Sequence, residues 1–489
     1  MSKTIGVIGG GFAGLSSAAY LKKAGFNVIL FEKNNKIGGR NRQYETNGFT
    51  FDMGPSWYWM PEVFEQFFND FNHTAADYYE LEKLNPSFSI FYDKLKMDIP
   101  ANPDELPALF ESFEKGAGAQ FKKFMERAEY KYEVGMNDFV QKPSKSILEF
   151  ASLKVLKGAM KLTLLTKYDK YVRHYFKNPY LIQLMEFPVL FLGSAPQNTP
   201  ALYSLMNYAG LMLGTWYPKG GMHKIVLGME QLIEEAGVTV RKSTEISEIV
   251  VANNRVAGVK LPNDEIVSLD GLVAAGDYAH METLLPKQYR NYDEAYWEKR
   301  VFAPSSLIFY LGIDKVIEGL EHHNLFFDES LDEHAHEIYN EPKWPTKPLF
   351  YACVPSKTDD IVAPKGSENI FILMPLAAGL EDTEALREKY FNVIMDRLET
   401  RLKTEIRSAI VYKKSYCITD FEKDYHSYKG NAYGLANTLN QTAFLKPKLN
   451  SKKLKNMVYA GQLTVPGPGM PPAIISGKLA AQEIEKAVH

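Results

Sequence analysis

Ile5-Gly6-Val7-Ile8-Gly9-Gly10-Gly11-Phe12-Ala13-Gly14 decides the fold. Ile5 to Ile8 is a short apolar run of the kind that makes a buried parallel strand. The residues after it fit G-x-G-x-x-G. Leu15 to Lys23 predicts a helix, with Ser16, Ser17, Ala18 and Ala19 small enough to pack closely on a sheet. Gly25 is a helix stop. Asn27-Val28-Ile29-Leu30-Phe31 predicts the second strand, and Glu32 stands at its carboxyl end. Gly9 permits the tight turn, Gly11 lets backbone approach a pyrophosphate, and Gly14 lets helix and strand pack closely. The helix N-terminus offers free N–H groups to the anion. Glu32 is placed to accept hydrogen bonds from a ribose. A ligand-free glycine turn would leave the position of that acid unexplained. The order of parts therefore predicts a dinucleotide site.

Asn34-Asn35-Lys36-Ile37-Gly38-Gly39-Arg40 follows the acid directly. Its two glycines and arginine can wrap backbone and a positive charge around the same pyrophosphate. This element resembles the flavoprotein superfamily of amine oxidases, protoporphyrinogen oxidases and carotenoid desaturases. Gly48 to Ser56 narrows the resemblance to the bacterial and fungal type of phytoene desaturase. Pro466-Gly467-Pro468-Gly469-Met470-Pro471, with Ser476-Gly477-Lys478 downstream, resembles the C-terminal signature of the carotenoid desaturase group. The resemblance thus covers nearly the whole chain.

What the resemblance implies is specific. The cofactor is FAD, held by Gly9, Gly11, Phe12, Ala13, Gly14, Glu32, Lys33, Gly39, Arg40, Gly54, Pro55, Ser56, Ile246, Gly461, Gly469 and Met470. Trp57, Trp59 and Tyr433 are the substrate-binding candidates. The fold is α/β: a discontinuous Rossmann-like FAD-binding domain, residues 1–80, 205–290 and 455–489, with an inserted α+β substrate domain, 81–204 and 291–454. The activity is carotenoid desaturation, of phytoene or a close relative. Three alternatives share the pattern: a hydroxycarotenoid 3,4-desaturase, a carotenoid isomerase using reduced flavin, and a non-enzymatic prenyl-protein escort. The intact Gly-Gly-Arg element and the C-terminal signature count against the escort. An amine oxidase remains open, although no covalent cysteine attachment motif stands near the C-terminus.

The chemistry is expected on the flavin, and no catalytic side chain is named. A proton must also leave the substrate. Asp52 and Glu149 are acids within reach of that task, but no spacing singles out either. Related desaturases show Asn-Ala-Asp at the match to Ala275-Gly276-Asp277, so these residues receive no role. His280 reads as a packed or solvent histidine.

Composition narrows the setting. A chain of 489 residues allows two or more domains. A net charge of −3 gives no reason to expect nucleic acid. The two cysteines, Cys353 and Cys417, argue against a disulfide framework and fit a reduced cytoplasm. No C-x-x-C or histidine cluster suggests a metal. The first strand begins at once, leaving no room for a signal peptide, and no apolar run approaches a spanning helix.

Trp57-Tyr58-Trp59-Met60 is extended if it follows the turn directly, so its aromatics should alternate between a cavity and the core. Pro61 to Phe71 predicts an amphipathic core helix. Val267 to Ala275 predicts one strand, and Ile474 to Val488 the final helix. Residues 141–180 carry nine Lys or Arg against two acids, interleaved with leucines. That pattern fits a helix lying on an anionic bilayer and equally a solvated face over a core. The lipid-soluble substrate implied by the resemblance favours the membrane. The expected partners are a carotenoid, an anionic membrane surface at the inner face of the cell membrane, and oxygen or a quinone as electron acceptor.

Overall fold

A computed structural model describes residues 2–145, 163, 166–438 and 440–488. Its central sheet is wholly parallel. The strand order is Met457–Tyr459, Gly271–Ala274, Thr4–Ile8, Asn27–Phe31, Thr239–Arg241. The first four of these strands are largely apolar and mostly buried, because helices cover one face and the small antiparallel sheet Glu248–Ala252, Arg255–Lys260, Ile266–Ser268 packs on the other, while the edge strand Thr239–Arg241 is partly exposed. Strands distant in sequence thus meet in one sheet, with Thr4–Ile8 at its centre.

The helix Phe12–Lys23 packs on that sheet and also on the last helix, Met470–Val488. The small residues serve the second contact. A Cβ on Gly477 would lie 2.3 Å from the Ala13 carbonyl oxygen. Ser16 Oγ donates to Ile474 O at 2.7 Å and Ser17 Oγ to Gly477 O at 3.1 Å. The last helix begins four residues before the expected Ile474. Pro471 and Pro472 sit in its first turn, where a missing N–H removes no helix bond.

The second large sheet has seven strands, in the order Ile410–Tyr416, Ser305–Ile313, Glu368–Leu376, Phe350–Cys353, His323–Phe326, Phe88–Phe91, Lys96–Ile99. All neighbours are antiparallel except His323–Phe326 against Phe88–Phe91. The helix Glu384–Leu402, capped by Thr383, packs its Phe391, Ile394, Met395 and Leu398 into the core under one face. The other face looks towards the nucleotide-type domain. The fold is therefore α/β with a discontinuous Rossmann-like part.

The segment expected as one strand from Val267 to Ala275 is two. Ile266–Ser268 ends a small antiparallel sheet, and Gly271–Ala274 enters the central one. Asp270 marks the crossing: its N–H donates to Thr4 O and its carboxylate accepts from Thr4 N. Residues 146–162, 164 and 165 of the basic stretch lie outside the described residues, and with them Glu149, Lys154, Lys157 and Lys161. Of its described cations, Lys145 pairs with Glu483 and Arg173 with Glu186.

Candidate active site

A cavity of about 470 Å³ lies between the two sheets. Every residue expected to hold cofactor or substrate lines it except Gly14. Gly14 has a different place. A Cβ there would stand 1.8 Å from the Gly9 carbonyl oxygen, so Gly14 serves the turn itself.

One side of the cavity is a nucleotide cradle. Gly9 turns with φ +103°, a conformation that favours glycine. Glu32 is buried at the strand end. Its Oε2 accepts from Gly10 N at 2.8 Å and its Oε1 from Asn34 N at 2.8 Å, so the acid also ties the glycine turn to the second strand. The first helix has no side-chain cap, which leaves its leading N–H groups to the cavity. A Cβ on Gly11 would meet only Gly39 Cα, at 3.9 Å, so the space beside it is open. Arg40 donates to Ser427 Oγ at 2.5 Å and to Asn431 O at 3.2 Å, and lies over the Tyr425 ring. Its Nε is buried with no hydrogen-bond partner. Burial pulls the guanidinium below its ordinary value, and Asp277 opposes that pull. An open glycine cradle, an uncapped helix and an orphaned guanidinium N–H fit a pyrophosphate.

Ile246 lines the far end of the cradle beside Lys33, His280 and His426. Lys33 Nζ lies 3.0 Å from His426 Nε2, and burial lowers its ammonium below the usual lysine value. His280 stacks on His426 with ring centroids 3.9 Å apart. Burial, then His426, pulls His280 down to about 4. His280 is thus a packed, neutral ring.

The opposite side of the cavity is apolar. Trp57 and Trp59 line it while Tyr58 between them is fully buried against Phe64, as alternation requires. Phe187, Leu325, Phe327 and Leu373 join them, with Leu331, Ala335 and Ile338 from the helix Leu331–Tyr339. Tyr433 and Ala432 close one wall. The nearby Gln441 does not line the cavity. It accepts from Val301 N and donates to Val301 O and Ala436 O. Asp52 is not on this wall either. Its carboxylate accepts from Met222 N and His223 N, holding the helix His223–Glu235.

Sequence reasoning passed over Asp277. It caps the helix Tyr278–Thr283 through Ala279 N and His280 N, and it is the charge that opposes Arg40's desolvation. An Asp one residue before a helix was the available signal. Burial raises its carboxyl from 3.8 to about 6, against the pull of Arg40. A folded-state value above the unfolded one favours folding at low pH, and that contribution is lost as pH rises through about 6. Between about pH 4 and pH 6.5 the wild type should lose up to ~3 kcal/mol from this group. Asp277→Asn keeps a capping oxygen and should flatten that part of the curve. Urea unfolding at both pH values checks it; equal pH dependence in variant and wild type would reject it.

The fold and the cradle define a dinucleotide-dependent oxidoreductase. The family model for flavin containing amine oxidoreductases matches residues 12–485, and the chain belongs to that family. The protein is a flavoprotein, and its cofactor is FAD. The chain is 40% identical over 483 residues to a carotenoid 3,4-desaturase of Haloarcula japonica, covering 98% of this chain and 97% of that protein. It is 31% identical over 502 residues to a 4,4'-diapophytoene desaturase (4,4'-diaponeurosporene-forming) of Staphylococcus aureus, covering 99% of each. Among solved structures, an oxidoreductase from Methanosarcina mazei superposes with TM-score 0.63 at 16% identity, covering 97% of this chain and 98% of that one. A putrescine oxidase variant superposes with TM-score 0.61 at 10% identity, covering 99% of each. These two likenesses concern the fold.

Proposed function

We propose that the protein is an FAD-dependent carotenoid desaturase. The observation that carries this reading is a single cavity with an open nucleotide cradle on one side and a wall of tryptophan, phenylalanine and leucine on the other. A long hydrocarbon gains about 25 cal/mol for each Å² it withdraws from water against such a wall. The full-length relatives named above support a carotenoid as that hydrocarbon.

When bound, FAD accepts a hydride and so oxidises a CH–CH unit to a double bond. The chain's own residues do the rest. Gly9, whose own N–H donates to Phe31 O, would turn the chain so that Gly11, Phe12 and Ala13 take the pyrophosphate on backbone N–H groups, with Gly39 and Arg40 closing over it. Glu32 would accept from the ribose. Lys33 and Ile246 would border the adenine. Gly54, Pro55, Ser56, Gly461, Gly469 and Met470 would flank the flavin ring. Trp57, Trp59 and Tyr433 would fix the polyene and exclude water from the reacting carbons. On this reading the cofactor domain comprises 1–80, 205–290 and 455–489, and the substrate domain 81–204 and 291–454.

The higher identity to a 3,4-desaturase supports the 3,4 bond as the position attacked, with phytoene-type desaturation as the second reading. Incubation of the FAD-loaded protein with liposomes holding either phytoene or a 3,4-dihydro carotenoid tests both. New double bonds in the chromatographed product are expected from at least one. Products changed only in geometry would instead mean an isomerase, and no product from either would overturn the desaturase.

We also propose that the protein rests on the inner face of the cell membrane while it takes up substrate. Among the described residues no helix is long and apolar enough to cross a membrane. The basic excess in 141–180 is what supports attachment to anionic lipid. Oxygen or a quinone would reoxidise the flavin.

A further inference from the structure

A chain of polar side chains leaves the cavity at Ser56. Ser56 Oγ and Tyr351 OH lie 3.0 Å apart, and both residues line the cavity. Tyr351 OH lies 2.6 Å from Nδ1 of His323. His323 is fully buried, its ring stacked on Trp57 at 4.2 Å and 10° from parallel. His322 precedes it in sequence, with ring centroids 4.5 Å apart. His322 Nδ1 lies 2.7 Å from Thr358 Oγ1, and Thr358 is only half-buried.

The partners assign the hydrogens. Thr358 Oγ1 donates to Pro355 O, so His322 donates to Thr358 from Nδ1 and keeps a lone pair on Nε2. With Tyr351 donating to Nδ1 of His323, that ring carries its hydrogen on Nε2. Both Nε2 atoms are buried without a hydrogen-bond partner. A buried donor and a buried acceptor therefore stand on adjacent residues. A ring nitrogen of each histidine and Cys353 Sγ lie within 4.8 Å of one another. A void of about 20 Å³ with room for a water opens beside His322, lined also by Ser56, Asp52 and Cys353. Burial pushes the Cys353 thiol up to about 12, so it stays protonated and is a poor metal ligand.

We propose that Ser56, Tyr351, His323 and His322 form a proton wire from the reacting carbons to Thr358 at the surface. The inference rests on the desaturase reading. In that reaction two C–H bonds break and one C=C bond forms. One hydrogen leaves with two electrons to FAD. The electron pair of the other C–H bond becomes the π bond, and its proton goes to Ser56 Oγ. The Ser56 hydrogen passes to Tyr351, that of Tyr351 to His323 Nδ1, and the Nε2 hydrogen of His323 through one water to His322 Nε2. The Nδ1 hydrogen of His322 then leaves by Thr358.

Two observations favour this route. His334, the histidine on the apolar wall, has no free nitrogen: Nδ1 accepts from Leu349 N and Nε2 donates to Pro375 O. Burial also holds His322 at about 3 and His323 well below its ordinary value. A proton beside a developing allylic cation is acidic enough for such weak bases, and weak bases release it again.

Tyr351→Phe removes one oxygen and His323→Gln replaces one ring. Both variants should be prepared with FAD and assayed on the carotenoid that the wild type converts. FAD content and KM should match wild type, and kcat should fall by about a hundredfold. The double variant should be no slower than the slower single, because the groups act in series. The wild-type rate should drop in D2O, and that sensitivity should change in both variants. FAD-loaded variants with wild-type kcat and wild-type D2O sensitivity would overturn the wire. An inactive wild type would instead overturn the desaturase reading.

Discussion

Gly11→Val should yield a folded, colourless protein. Gly11 has φ −81° and ψ −178°, extended backbone that any residue adopts. Its side-chain direction is open apart from Gly39 Cα at 3.9 Å. A valine there costs the chain little, but it fills the space in which a pyrophosphate must approach the helix N–H groups. FAD affinity should fall at least about a hundredfold, the equivalent of the ~3 kcal/mol that overpacking a tight site costs. Gly14→Val makes the contrast. Its Cβ would collide with the Gly9 carbonyl at 1.8 Å, so this variant should fail to fold. Flavin absorbance per protein and the urea midpoint separate the two outcomes. Stoichiometric FAD on Gly11→Val would refute the placement of the cofactor.

Ala335→Trp should leave the flavin in place and remove most of the activity. The helix Leu331–Tyr339 turns Leu331, His334, Ala335, Ile338 and Tyr339 towards the cavity, at i, i+3, i+4, i+7 and i+8. Ala335 is the small residue on that wall. An indole at this position would take space from a cavity of only about 470 Å³, on the side away from the glycine turn. Displacing the reacting carbons by an ångström is enough to cost about a hundredfold in rate. The folding cost should stay within ~1–3 kcal/mol, so FAD content should remain normal. Product chromatography with long polyene substrate checks the prediction. Wild-type turnover by the FAD-loaded variant would mean that the substrate does not occupy this limb.

The nucleotide cradle was legible in the sequence because its rules are local. A tight turn, an uncapped helix and an acid at the next strand end all fall within the first forty residues. The alternation of Trp57, Tyr58 and Trp59 was legible for the same reason, since extended backbone sends neighbours to opposite sides. The sequence by itself therefore determined the dinucleotide site, its early residues and, through resemblance, the flavin.

The rest depends on which distant strands meet, and no local pattern states that. The break at Asp270 arises because the chain leaves one sheet for another where Thr4 is waiting. Asp52 looked available for chemistry until the fold set Met222 N and His223 N against it. His322 and His323 gave no sign of a cluster, because their partners Tyr351, Cys353 and Thr358 lie on a neighbouring strand and the turn after it. Burial then sets their chemistry: two imidazoles that would titrate near neutrality in water are held neutral here. Tertiary structure decided the rest of the apolar wall, since the strands Ser305–Ile313, His323–Phe326, Phe350–Cys353 and Glu368–Leu376 come from distant segments and each adds residues to it.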